Sequence, residues 1–145
     1  MKKLVLINPT GIKNVGHTGS DILWPPLGLC YIAAATPTDW HIRLIDENFE
    51  AFKYEEADLV GITAMTATVN RAYKIASVYQ DHGVKVVMGG IHPSVMPDEA
   101  LAFADAIVIG EGESVWGKLV RDFNHDPLLR AVQASLCSLS AGGLY

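Results

Sequence analysis

Cysteine is scarce in this sequence. Only Cys30 and Cys137 occur, far apart. That excludes a disulfide framework and a cysteine-built metal knuckle, and it fits a reducing, cytoplasmic setting. Long apolar runs are also absent. Nothing approaches the ~18 consecutive residues that span a bilayer. Met1-Lys2-Lys3 is followed by four apolar residues before Asn8-Pro9, too few for a secretory leader. Positive charge is in short supply. Eleven Lys and Arg stand against 16 Asp and Glu, a net charge of −5, and the only adjacent basic pair is Lys2-Lys3. A nucleic-acid surface needs a basic stripe, so none is expected. Several chemical signatures are missing as well. No Gly-x-x-x-x-Gly-Lys-Ser/Thr phosphate loop and no Gly-x-Ser-x-Gly elbow occur. Thr63 stands where a phospho-receiver needs an acid at the end of its third strand.

What is present suits one domain. Half of the 145 residues are apolar and 19% are charged, enough for a single core but small for a complete enzyme. Five short apolar runs stand out: Leu4–Ile7, Ile42–Ile45, Leu59–Ile62, Val84–Met88 and Ala106–Ile109. Most are β-branched and continuous, the pattern of strands buried on both faces of a parallel sheet. Helical spacing runs from Ala67 to His82, with Thr66 as candidate N-cap and Gly83 as stop. Further helices are expected at Leu27–Ala35, from Pro97, and over Ser114–Phe123, with a ragged one over Glu47–Glu56. The alternation predicts an α/β fold: a flavodoxin-like, doubly wound, five-stranded parallel sheet of order 2-1-3-4-5 in three α/β/α layers. Residues 1–123 form this domain. Asn124-His125-Asp126-Pro127 breaks the pattern, and residues 124–145 read as a linker or an extra helix over Leu128–Leu139, with the chain cut from a longer protein.

Ligands of such sheets bind outside the carboxyl ends of the strands, so the loops there hold the candidate residues. After the first strand, Asn8 and Pro9 open a loop that runs to Pro26, where ~2–6 residues are usual. It reads as functional or as a surface excursion. After the third strand come Thr63, Ala64, Met65 and Thr66, small or hydroxyl-bearing residues that equally serve as caps and packing. After the fourth, Gly89 and Gly90 allow close approach of a ligand or make a tight turn. Ile91 and His92 follow; a histidine here is a ligand or, more often, a local hydrogen-bond partner. After the fifth strand, Gly110, Glu111, Gly112 and Glu113 present backbone N–H groups at a helix start, while Glu113 also offsets the helix dipole. The pattern lacks the third glycine of a dinucleotide fingerprint. No catalytic residue and no metal ligand is assigned. Cys30, within an apolar helix, reads as a buried small residue.

These pieces in order resemble a known family. They are Pro26-Leu27-Gly28-Leu29-Cys30-Tyr31-Ile32, Leu44-Ile45-Asp46, Ala57-Asp58-Leu59-Val60-Gly61-Ile62-Thr63, then Gly89-Gly90-Ile91-His92-Pro93 with Pro97-Asp98-Glu99, then Asp105 to Glu113. Together, over roughly residues 3–123, the string is similar to the N-terminal cobalamin-binding domain of B12-dependent radical SAM proteins. The resemblance implies that the strand-end loops hold a corrinoid and its nucleotide tail. Thr63-Ala64-Met65 would meet the tail, Gly89-Gly90 would give it bare backbone, and Gly110 to Glu113 would close the slot. Some relatives with this fold carry a cobalt-ligating histidine in an Asp-x-His-x-x-Gly motif after the first strand. Here that stretch reads Asn8-Pro9-Thr10-Gly11-Ile12. The resemblance therefore implies base-off cobalamin without a protein histidine ligand, with His17 in the long loop as the remote alternative. Two isolated cysteines cannot hold the Cys-x-x-x-Cys-x-x-Cys cluster. The iron–sulfur cluster and S-adenosylmethionine would belong to an absent C-terminal radical SAM domain. The alternatives are a cofactor-free recognition or docking module of the same fold and, more weakly, a flavin mononucleotide domain using Thr10-Gly11.

Overall fold

The computed structural model describes residues 1–10, 25–123 and 131–133. The strands are β1 (Lys2–Asn8), β2 (Trp40–Asp46), β3 (Leu59–Thr63), β4 (Lys85–Gly89), β5 (Ala106–Ile109) and β6 (Ala131–Gln133). The helices are α1 (Leu27–Ala35), α2 (Val69–Asp81), α3 (Ile91–Val95), α4 (Pro97–Leu101) and α5 (Glu113–Phe123). The sheet runs β2-β1-β3-β4-β5-β6, and every pairing is parallel. The 2-1-3-4-5 order expected from the sequence is present.

Alternate residues of each strand feed two separate cores. On one face Val5, Ile7, Val60, Ile62 and Met88 pack against Ala72, Ile75, Ala76 and Tyr79 of α2. On the other, Leu4, Leu6, Leu59, Val87 and Val108 pack against Leu29 of α1 and Trp116, Leu119 and Val120 of α5. Because both faces are covered, the strands read as unbroken apolar runs. Gly83, at φ +75°, ends α2 in the left-handed conformation that suits glycine.

Three expectations are corrected. Glu47–Glu56 is not a helix. Asp46 caps a turn instead, its carboxylate accepting from Asn48 N at 3.0 Å and its carbonyl from Phe49 N and Glu50 N. The chain beyond runs on irregularly, with Phe52 and Tyr54 against Tyr79 and Glu55 paired to both Lys3 and Arg43. Ala131–Gln133, within the stretch expected as an extra helix, form β6, which pairs with the free edge of β5. Cys30 is exposed, because Leu29 supplies the buried side of α1.

His17 and Gly11 lie outside the described residues. No helix among the described residues is long and apolar enough to cross a membrane.

Candidate functional site

A cavity of about 180 Å³ opens at the carboxyl edge of the sheet, on the α1/α5 face. Leu6, Gly61, Val87, Val108 and Trp116 form its floor, and Gly28, Leu29 and Ile32 of α1 form one wall. Thr63, Gly89, Gly90, Gly110, Glu111, Gly112 and Glu113 line the rim.

The cavity exists because of its glycines. A Cβ on Gly61 would sit 2.8 Å from Leu6 Cδ2 and 3.3 Å from the Trp116 ring, so glycine lets the indole reach the sheet. Trp116 is fixed there by its Nε1–H, which donates to Thr36 Oγ1 at 2.8 Å. At Gly89 a Cβ would meet only Val108, at 3.7 Å. A side chain there would make an ordinary van der Waals contact rather than a forced one. Gly90 differs: it has φ +106°, and a Cβ would meet Ala64 O at 2.8 Å. Only glycine fits that crossing of two turns.

Short hydrogen bonds lace the three strand-end turns together. Ala64 N donates to Gly89 O at 2.9 Å, and His92 N donates to Ala64 O at 3.1 Å. Ser94 Oγ donates to Gly90 O at 2.8 Å and accepts from Gly110 N at 3.0 Å. Gly110 itself has φ +83°. Gly112 O accepts from Val115 N and Trp116 N and so starts α5. The rim is therefore a cross-braced frame of backbone rather than a set of free loops.

Seven of the fourteen residues singled out in the sequence meet at this cavity: Thr63, Gly89, Gly90, Gly110, Glu111, Gly112 and Glu113. The other seven lie elsewhere. Asn8 Nδ2 donates to Asp46 Oδ1 at 3.1 Å, at the ends of β1 and β2, and Pro9 is buried beside it. Ala64 is buried under the rim, while Met65 and Ile91 are exposed on their turns. Thr66 and His92 belong to the α2 side of the sheet. His92 is buried, with Nδ1 3.2 Å from Thr66 Oγ1 and Nε2 3.0 Å from Glu99 Oε1. Thr66 thus serves His92, and Thr68 is the residue that precedes α2. Glu99 also accepts from Tyr73 OH at 2.8 Å. Sequence reading missed the floor and the α1 wall. Gly61 was the available signal, since glycine inside a strand marks close approach, and a Cβ there would lie 2.8 Å from Leu6 Cδ2.

The His92 cluster has a pH signature. The His92 hydrogen bond, then that of Tyr73, holds the Glu99 carboxyl below its ordinary 4.5. Burial, with Glu99 beside it, pushes the Tyr73 hydroxyl well up. A carboxyl with a lowered folded pKa contributes stability above its unfolded value and loses it as pH falls through the folded one. Denaturant midpoints measured below pH 4.5 should therefore fall less steeply in Glu99→Gln than in the parent chain.

The floor is apolar, and the rim is glycine, one threonine and two exposed glutamates. The volume lies below the ~300–1,000 Å³ of a site that swallows a whole ligand. Among the described residues, no group of three or more His, Cys, Asp or Glu could hold a metal ion.

Known proteins carry the same pattern. The B12 binding domain family matches residues 15–120. Bacteriochlorophyllide d C-8(2)-methyltransferase of Chlorobaculum tepidum is 40% identical over 104 residues, 70% of this chain and 23% of that protein. An uncharacterised methyltransferase of Pyrococcus horikoshii is 35% identical over 83% of this chain and 29% of its own length. Anaerobic magnesium-protoporphyrin IX monomethyl ester cyclase of Cereibacter sphaeroides is 29% identical over 86% of this chain and 22% of its own. The chain thus spans less than a third of each of these relatives. Its strand order, its glycine-framed cavity and this match agree: the chain belongs to the B12-binding domain family.

Proposed function

We propose that residues 1–123 are the cobalamin-holding module of a cytoplasmic B12-dependent radical SAM enzyme, one that transfers a methyl group or carries out related radical chemistry. The observation that supports this reading is the slot between α1 and α5, framed by Gly89, Gly90, Gly110 and Gly112 and too small for a macrocycle. It suits the nucleotide tail of a corrinoid. Thr63 Oγ1 and the backbone of Gly89 and Gly90 would line the tail's entry, and Leu6, Val87, Val108 and Trp116 would receive its ring. When bound, the cofactor supplies a reactive cobalt centre, and the protein supplies binding and orientation. Asn8, the last residue of β1, and Pro9 after it stand where a cobalt-ligating motif would begin, and their pattern supports a base-off cofactor without a protein histidine. The iron–sulfur cluster and S-adenosylmethionine would sit in a C-terminal catalytic domain, the partner of this module.

Incubation with hydroxocobalamin followed by gel filtration tests the reading. The protein peak should keep the visible corrin spectrum near one equivalent per chain. A colourless protein peak under both oxidising and reducing conditions would overturn it. A second reading, a cofactor-free docking module, draws on Met65, Ile91, Val95 and Met96, which are exposed around the same strand ends.

A further inference from the structure

We infer that the floor of the slot selects the base at the tip of the tail, accepting an apolar bicyclic base of the benzimidazole kind and rejecting a purine. The inference rests on the corrinoid reading above and goes one step deeper into the same site.

The chemistry of the floor carries it. The ring would lie among Leu6, Leu29, Ile32, Val87, Val108 and Trp116. The one side-chain donor among these is the Trp116 Nε1–H, already committed to Thr36 Oγ1 at 2.8 Å. Thr36 closes the chain by donating to Ile32 O at 2.8 Å. The strand backbone beneath is engaged in the ladder, with Gly61 opposite Leu6 on one side and Val87 on the other. The polar side chains of the lining, Thr63, Glu111 and Glu113, come from the ends of β3 and β5 and the start of α5, at the rim. A methylated benzimidazole needs no partner at its far edge. An adenine brings an amino donor and extra ring nitrogens to that edge, and the floor leaves them unpaired. One buried polar group without a partner costs about tenfold to a hundredfold in affinity.

Three probes test this on the full chain by equilibrium dialysis: cobalamin with its dimethylbenzimidazole tail, the adenine-tailed analogue, and tail-less cobinamide. Cobalamin should bind at least about tenfold more tightly than either of the others. In Val108→Thr, which exchanges one methyl group of the floor for a hydroxyl that can donate or accept, the gap between cobalamin and the adenine analogue should narrow. A gap below tenfold between cobalamin and the adenine analogue overturns the inference while leaving the corrinoid reading intact. A gap unchanged by Val108→Thr overturns the assignment of selectivity to the floor. Failure of all three probes to bind overturns the corrinoid reading, and the inference with it.

Discussion

Gly89→Val is expected to weaken corrinoid binding about tenfold to a hundredfold while the chain stays folded. Gly89 ends β4 in an extended conformation, and a Cβ there meets only Val108 at 3.7 Å. Valine therefore enters without backbone strain, and its β-branched side chain suits a strand position. Its two methyl groups project toward the slot, where the tail of a bound cofactor would lie. Gly90 is a poor place for this experiment. Its φ of +106° and the 2.8 Å approach to Ala64 O mean that any side chain disturbs the frame itself. Binding followed by corrin absorbance, with a thermal melt alongside, separates the two readings of the site. A corrinoid module loses ligand with little change in the melt. Ligand binding that survives the valine places the tail somewhere other than this slot.

The fold was legible because burial on both faces leaves a mark in sequence. Leu4–Ile7 and Leu59–Ile62 are apolar without alternation, and parallel strands covered on both sides need that. The same property hid half of the site. When both faces of a strand are apolar, the pattern does not tell which residues look toward α1 and α5. Leu6, Val87 and Val108 therefore read only as core, although they floor the slot. The rim was easier, because its glycines and acids break the apolar runs just where the strands end. His92 shows the limit of adjacency in sequence. It lies two residues from Gly90, yet the positive φ of that glycine and the short turn of α3 carry its ring to the α2 face. The slot residues furthest from the strand-end motifs, Gly28 and Ile32, sit on a helix that meets the sheet only through tertiary packing.

Trp116→Ala is expected to destabilise the chain by about 3–5 kcal/mol, the cost of emptying a large aromatic site in a core. Against the ~5–15 kcal/mol that holds a domain together, this is a large share. The indole is 2% exposed and packs between the sheet and α1, close enough to Gly61 that a Cβ there would lie 3.3 Å from its ring. Its neighbours cannot easily close the gap. Gly61 has no side chain to offer, and Leu6 is already fully buried. Trp116→Phe isolates the smaller part of the effect. It keeps most of the ring and removes the Nε1–H that Thr36 accepts, for a cost of about 1 kcal/mol. Thr36 keeps its own bond to Ile32 O, so no donor is stranded in that variant. Urea unfolding of both variants, followed by far-UV circular dichroism, gives the comparison. A loss in Trp116→Ala no larger than in Trp116→Phe would show that the indole serves only through its hydrogen bond. The larger loss places the indole in the α1/α5 core by its packing as well as by its hydrogen bond to Thr36.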